Sequence, residues 1–264
     1  MKNVLIIGCG SMGSALASAW QAKFNLAIID PEPNAKIEGI TYCQSLSDLD
    51  GDYWPDAIIF AVKPQILPTI VPIYALRFDD SRILWMSIAA GMSLGFFRKH
   101  TRFVKHIVRA MPNMPARYLH GMTVLVGEGA PHTLADELFQ SVGKVVWLDD
   151  EGLFDAATAI SGCGPAYFYL MVEKFAKAGI ALGLSEPIAN SLARQTLIGA
   201  AATLYYEPEG SPADFRHQVT SPNGATEAAL SVLMSPLVHG GLGSLIKQAV
   251  KAAKDRCKDL GSIS

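Results

Sequence analysis

Three glycines in the run Gly8-Cys9-Gly10-Ser11-Met12-Gly13 follow a short apolar segment and precede a helix-like pattern. That spacing carries a chemistry. The first glycine permits a tight turn, the second lets the backbone approach a pyrophosphate, and the third lets the helix pack closely. The helix, opening at Ser11 and Met12, offers its free N–H groups to the phosphates. Asp30 closes the next apolar run. An acid about 20 residues beyond such glycines accepts from both hydroxyls of an adenosine ribose and repels a 2′-phosphate. Asp30-Pro31 also reads simply as a turn after a strand.

Further candidates sit where other apolar runs end. Ala61-Val62-Lys63-Pro64 and Ala89-Ala90-Gly91 fall at the carboxyl edge, where open α/β sheets bind ligands, and their small residues leave room for a ribose and a nicotinamide. Lys63 reaches a phosphate or is merely solvated. Met111-Pro112-Asn113-Met114-Pro115 forms a stiff loop over the same edge, by itself a turn and nothing more. Ser161-Gly162-Cys163-Gly164-Pro165 breaks a helix, either for the close approach of another group or as a packing kink. Thr220-Ser221-Pro222-Asn223-Gly224-Ala225-Thr226 enters another helix with free N–H groups and hydroxyls that suit a substrate carboxylate. The plainer reading is an N-cap by Ser221 or Asn223.

The elements that position these residues follow from hydrophobic periodicity. Strands are expected over 4–7, 26–29, 57–62, 83–88, 103–108, 122–126 and 144–148, alternating with helices over 12–23, 45–49, 94–100 and 133–142. The segment 64–76, with Pro64, Pro68 and Pro72, reads as a broken helix or extended turn. The alternation is that of a parallel sheet with crossover helices. After Asp149 the pattern is helical to the end: 152–181 with the break at 162–165, 187–205 behind Ser185, 212–219 behind Ser211, 223–234 and 243–260. The expected fold is therefore α/β, an N-terminal Rossmann-type doubly wound sheet over 1–150 followed by an all-helical domain over 151–264. Ala189, Leu192, Ala193, Leu197 and Ala200 show a helix apolar on more than one face, which predicts a homodimer or larger assembly built through this half.

Composition narrows the function classes. A net charge of -2 and no Lys/Arg cluster beyond the 247–258 tail argue against a nucleic-acid partner. The four cysteines are scattered, and the six histidines make no ligand-spaced pair, so no metal is assigned and a reduced, cytoplasmic setting is expected. The run before Cys9 is shorter than the roughly 7–15 apolar residues of a secretory core. No stretch reaches the roughly 18 apolar residues of a membrane span, and no membrane partner is expected.

With these stretches together, the sequence resembles pyrroline-5-carboxylate reductase from GCGSMG through AVKPQ, SIAAG and MPNMPA to DAATAISGCGPAY and QVTSPNGAT, the last two being the specific segments. The resemblance implies reduction of 1-pyrroline-5-carboxylate to L-proline by hydride from NADH or NADPH, with NADH favoured on the strength of Asp30. It also implies an intertwined dimer, a unit that often assembles further into a decamer. Carried over by position, it puts Ala225 and Thr226 on the substrate carboxylate, Glu151 close to the ring nitrogen, Gln218 near the nicotinamide, and Ala61 to Pro64 and Ala89 to Gly91 along the cofactor. Ser221 and Gly224 belong to the same substrate turn. Three departures bear on the pocket: Cys163 stands for the family's serine, Asn223 for a glycine, and Met114 for a threonine.

A protonated cyclic imine is already an electrophile, so catalysis reduces chiefly to positioning and electrostatics. That suits a chain without a Ser/His/Asp or Cys/His constellation. Two rivals compete. Another two-domain Rossmann reductase acting on an imine or a β-hydroxyacid is one; the hydroxyacid enzymes place a lysine in the first helix of the second domain, and 155–169 holds none. A dinucleotide-sensing protein without turnover is the other, disfavoured by the lack of a basic groove-reading helix.

Overall fold

The computed structural model describes residues 1–33, 36–128, 132–237 and 240–261. It divides into two compact units, 1–165 with 251–264, and 166–250. Residues 151–165 and the last turns of the C-terminal helix thus pack with the sheet, beyond the boundary expected at 150.

The first unit is built on one sheet of eight strands: β1 Asn3–Ile7, β2 Asn25–Ile29, β3 Thr41–Cys43, β4 Ala57–Phe60, β5 Leu84–Ser87, β6 His106–Met111, β7 Gly121–Gly127 and β8 Gly143–Trp147. Their order is β3-β2-β1-β4-β5-β6-β7-β8. Alternate residues feed opposite faces, as a pleated strand requires. Val4, Ile6, Ile28 and Ile59 face one core with α1 Ser11–Trp20 and α4 Thr133–Gln140. Leu5, Ile7, Ile58 and Phe60 face the other with α2 Leu67–Phe78 and α3 Leu94–His100. Trp20 seals the first layer by donating its indole N–H to the Leu138 carbonyl at 2.8 Å and meeting Phe139 edge-on.

Several expectations need correction. The sheet is not wholly parallel: β7 runs antiparallel to β6. Only residues 112–120 join them, and a parallel return needs a crossover of a dozen or more residues. The strand expected over 103–108 begins later, because the Asp79 carboxylate collects the N–H groups of Arg102, Phe103 and Val104 and holds them in a loop. The strands expected over 57–62 and 83–88 stop at Phe60 and Ser87, freeing 61–64 and 88–91 as turns. Strand β3, too short to show an alternation, was not expected. The segment 64–76 is a 3-10 turn followed by the continuous helix α2, with Pro72 inside it. The N–H that Pro72 lacks would have bonded the carbonyl of exposed Pro68, which water can reach.

After β8 come α5 Phe154–Ala157, a π-helical turn Thr158–Gly162 that ends where the break expected over 162–165 begins, and α6 Gly164–Ala181, which starts within that expected break. The second unit is helical: the body of α6, α7 Glu186–Tyr206, α8 Pro212–Gln218, α9 Ala225–Met234 and the start of α10 Gly241–Gly261. Helices α6 and α7 approach closely at Gly179, where a Cβ would lie 3.3 Å from that of Ala189. Between them runs an apolar groove of about 370 Å³ lined by Met171, Phe175, Leu184, Leu192 and Thr196. Phe168, Tyr169, Leu170, Phe175 and Leu192 are all at least half exposed, an apolar surface that a lone chain would not leave in water.

Candidate functional site

The glycine turn joins the carboxyl end of β1 to α1. Gly8 has φ +101°, and a Cβ there would stand 2.7 Å from the Ala61 carbonyl oxygen, so only glycine permits β1 and β4 to meet at this point. A Cβ on Gly13 would lie 2.4 Å from the Gly8 oxygen, which is why the helix can begin so close beneath the strand. Gly10 faces open space. It is the N-cap of α1 and no side chain caps it, so the N–H groups of the first turn, at Ser11, Met12 and Gly13, have no intrahelical partner.

Asp30 follows β2, the neighbour of β1. Its carboxylate accepts the Cys9 N–H at 2.5 Å on one oxygen and the Glu32 N–H at 2.8 Å on the other. The acid and the glycine turn are therefore one rigid assembly. Burial and the Asp30 charge together push the Cys9 thiol up from its ordinary pKa, which keeps it neutral inside the turn. A cleft of about 770 Å³ opens beside the assembly, lined by Gly8, Asp30, Pro31, Ser45, Val62 and Ile66 among others. Arg77 also lines it, but its guanidinium is spent on the carbonyls of Leu46, Asp50 and Gly51.

The other turns flank this cleft along the same sheet edge. Ala61 and Val62 leave β4, Lys63 stays exposed as N-cap of the turn begun by Pro64, and Ala89, Ala90 and Gly91 leave β5. Gly91 has φ +79°, and a Cβ on it would lie 2.7 Å from the Gly261 nitrogen, so the end of α10 is pressed against this turn. Glu151 stands where β8 gives way to helix. Its Oε1 accepts the Leu94 N–H at 2.9 Å and the Arg109 guanidinium at 2.6 Å.

In the second unit, α8 ends at Gln218 and α9 starts after Gly224. Asn223 has φ +59°, the left-handed conformation that asparagine tolerates better than most residues, which explains how it replaces a glycine. Its N–H donates to Glu227 Oε2 at 2.6 Å, and a Cβ on Gly224 would lie 2.9 Å from the Ser221 oxygen. Neither Ser221 nor Asn223 caps α9: the N-cap is Gly224, without a side-chain bond. The first-turn N–H groups of Ala225 and Thr226 consequently lack intrahelical partners, and the exposed Thr226 hydroxyl has no hydrogen-bond partner among the described residues.

The structure thus gathers Gly8 to Gly13, Asp30, Ala61 to Pro64 and Ala89 to Gly91 on one sheet edge, and Gln218, Ser221, Gly224, Ala225 and Thr226 on one loop of the helical unit. The roles of two residues were not read from the sequence, where Asn113 counted only as part of a turn and Arg109 was passed over. Asn113 is buried and clips the π-helical turn to β7, donating to the Ser161 carbonyl at 3.0 Å and accepting from the Met122 N–H at 2.9 Å. Arg109 is buried in β6, and a cation inside the run Ile107-Val108-Arg109-Ala110 was a signal available beforehand. No group of metal-ligating side chains occurs among the described residues, and no described helix is long and apolar enough to cross a membrane.

Comparison with known proteins supplies the family. Residues 151–260 match the family model for pyrroline-5-carboxylate reductase dimerisation. The chain is 34% identical to the pyrroline-5-carboxylate reductase of Pseudomonas aeruginosa, over 97% of this chain and 96% of that one. Among solved structures, the Coxiella burnetii pyrroline-5-carboxylate reductase superposes with a TM-score of 0.85 at 29% identity. The Plasmodium falciparum pyrroline carboxylate reductase with NADP bound does so with 0.82 at 28%, and each alignment covers 98% of both chains.

Proposed function

The chain belongs to the pyrroline-5-carboxylate reductase family, and from that membership we propose how its residues divide the work. The protein is an oxidoreductase of the CH–NH group that reduces 1-pyrroline-5-carboxylate to L-proline with a nicotinamide dinucleotide, as a homo-oligomer. The observation that carries the cofactor half is the bond from the Cys9 N–H to Asp30, which makes an uncapped helix start, an open Gly10 and a ribose-accepting carboxylate into one preformed cradle. These residues fit the group.

When bound, the reduced dinucleotide supplies the hydride. Gly8, Gly10, Ser11, Met12 and Gly13 hold its pyrophosphate, Asp30 its adenosine ribose, and Ala61 to Pro64, Ala89 to Gly91 and Gln218 its nicotinamide half. NADH is the preferred donor, a reading supported by the Asp30 carboxylate lining the cleft, which would repel a 2′-phosphate, and by Arg77, a cation lining the same cleft whose guanidinium is committed to backbone carbonyls. Ala225 and Thr226 bind the substrate carboxylate through their free N–H groups and the Thr226 hydroxyl, within the turn Ser221 to Gly224. Glu151 turns its second oxygen to the iminium nitrogen, favouring the charged, electrophilic form of the ring. No covalent intermediate is needed, since orientation of two bound reactants alone removes much of the barrier.

We place the functional boundary at 150/151, the working assembly at a dimer or a decamer built from five dimers, and the protein in the cytoplasm. Separate assays of NADH and NADPH oxidation with 1-pyrroline-5-carboxylate test the reading. Oxidation that depends on that substrate and yields proline supports it. A folded protein that turns over neither dinucleotide refutes it.

A further inference from the structure

Arg109 is a cation in the interior of an apolar strand, its side chain only 7% exposed. It lies opposite Ser87 in the parallel register of β5 and β6, at the level where β5 ends and the Ala89–Gly91 turn begins. Its guanidinium carbon sits 4.1 Å from the centroid of the buried Phe154 ring, and Phe154 in turn packs with Met111, Val124, Val126 and Ala90. One terminal nitrogen donates to Glu151 Oε1 at 2.6 Å, and Nε finds no partner among the described residues. A planar cation clamped on a ring face, with one nitrogen left unsatisfied, aims its available bond at a single acceptor.

That acceptor oxygen is shared. Glu151 Oε1 also receives the Leu94 N–H at 2.9 Å, at the first residue of α3. Between the Ala89–Gly91 turn and Leu94 lie only Met92 and Ser93. The turn therefore has two fixed ends: Gly91 is pressed against Gly261 at one, and Leu94 is tied to Glu151 at the other. Fold stability alone does not require this arrangement, since a well-packed apolar residue commonly replaces a buried ion pair without loss.

We propose that Arg109 is a positioning residue for hydride transfer, acting through Glu151 on the turn that follows β5. The proposal rests on the reading of that turn as cofactor-lining and of Glu151 as facing the ring nitrogen. Arg109 orients the carboxylate by occupying Oε1, which leaves Oε2 for the substrate and keeps the Leu94 end of the turn in register.

The test uses the purified oligomer and three variants: Arg109→Lys, Glu151→Gln and the two combined. Lysine keeps the charge and loses the planar fork. Glutamine keeps an acceptor oxygen and loses the charge. Arg109→Lys is expected to lower kcat at least about tenfold, in line with the cost of misplacing reacting groups by an ångström or less. KM for 1-pyrroline-5-carboxylate should stay within about twofold, because the carboxylate is bound by Ala225 and Thr226. The double variant should lose no more than Glu151→Gln alone, as expected when one residue works only through the other. A normal kcat in Arg109→Lys with a lowered melting temperature, or losses that multiply in the double variant, overturns the proposal. Should Arg109→Lys fail to fold, Arg109→Gln in the Glu151→Gln background leaves no unpaired buried charge and carries the same comparison. A wild-type protein inert toward 1-pyrroline-5-carboxylate refutes the functional reading itself, whereas an active wild type beside a fully active Arg109→Lys refutes only the role of Arg109.

Discussion

The backbone N–H of Cys9 donates to the carboxylate of Asp30 across 2.5 Å, binding the glycine turn to the end of the neighbouring strand. Asp30 consequently has two tasks, ordering the turn and facing the ribose. A substitution that removes the charge while keeping an acceptor separates them. Asp30→Asn, with its single oxygen on the Cys9 N–H, should therefore retain the glycine turn, give up the bond from the Glu32 N–H and lose the repulsion toward a 2′-phosphate. Bonds to a charged group are worth about 1.5–3 kcal/mol, so the ratio of kcat/KM for NADH over NADPH should fall by roughly 10- to 150-fold. An unchanged ratio would remove Asp30 from cofactor selection.

Thr226 is exposed, and among the described residues its hydroxyl bonds nothing. Thr226→Ala should leave the melting temperature and the NADH dissociation constant where they are. Its kcat/KM for 1-pyrroline-5-carboxylate should drop by roughly 10- to 150-fold, the equivalent of one bond to a carboxylate. A large loss of melting temperature with near-normal turnover would make Thr226 a helix-start residue and place the carboxylate elsewhere.

The apolar face of the helical unit predicts that no active monomer exists. Leu192, more than half exposed beside the α6–α7 groove, is a direct probe. Leu192→Asp should shift the sedimenting species toward the 28.3 kDa chain and abolish turnover together. A fully active species of that size would contradict the assembly argument.

A pH effect follows from His132, the N-cap of α4, whose ring nitrogen accepts the Leu134 N–H at 3.3 Å and must be unprotonated to do so. Burial lowers its pKa below 6.5, with the neighbouring His106 and Lys2 adding to the shift. The unfolded chain then binds the proton more readily than the folded one. Stability is complete above pH 6.5 and is lost as pH falls from there toward the lower folded value. His132→Asn keeps a cap that does not titrate, so its melting temperature should decline less between pH 7 and 5, by about 2–4 °C for a cap worth about 1 kcal/mol. Parallel declines in both proteins would rule out His132 as the titrating group.

Legibility in the sequence followed the physics of each element. Helix 94–100, expected from its periodicity, has those bounds in the structure, where Ser93 caps it and three basic residues close it. The glycine turn was legible because steric need at Gly8 and Gly13 dictates residue type. The direction of β7 was not, since strand pairing depends on connection geometry and leaves no periodic trace. Arg109 was passed over, and Asn113 was read only as part of a turn, because their value comes from partners 42 and 48 residues away, Glu151 and Ser161. Asn223 could be flagged as a departure from the family, but only its φ of +59° explained why the departure is tolerated.

The central claim is that this protein transfers hydride from a nicotinamide dinucleotide to the carbon–nitrogen double bond of 1-pyrroline-5-carboxylate. The most direct measurement follows NADH oxidation and proline formation together, with the purified oligomer and that substrate as the sole acceptor. Equal amounts of NADH consumed and proline formed, at a rate above that seen with NADPH, is the predicted result. An oligomer that binds NADH yet forms no proline from either dinucleotide would contradict the claim.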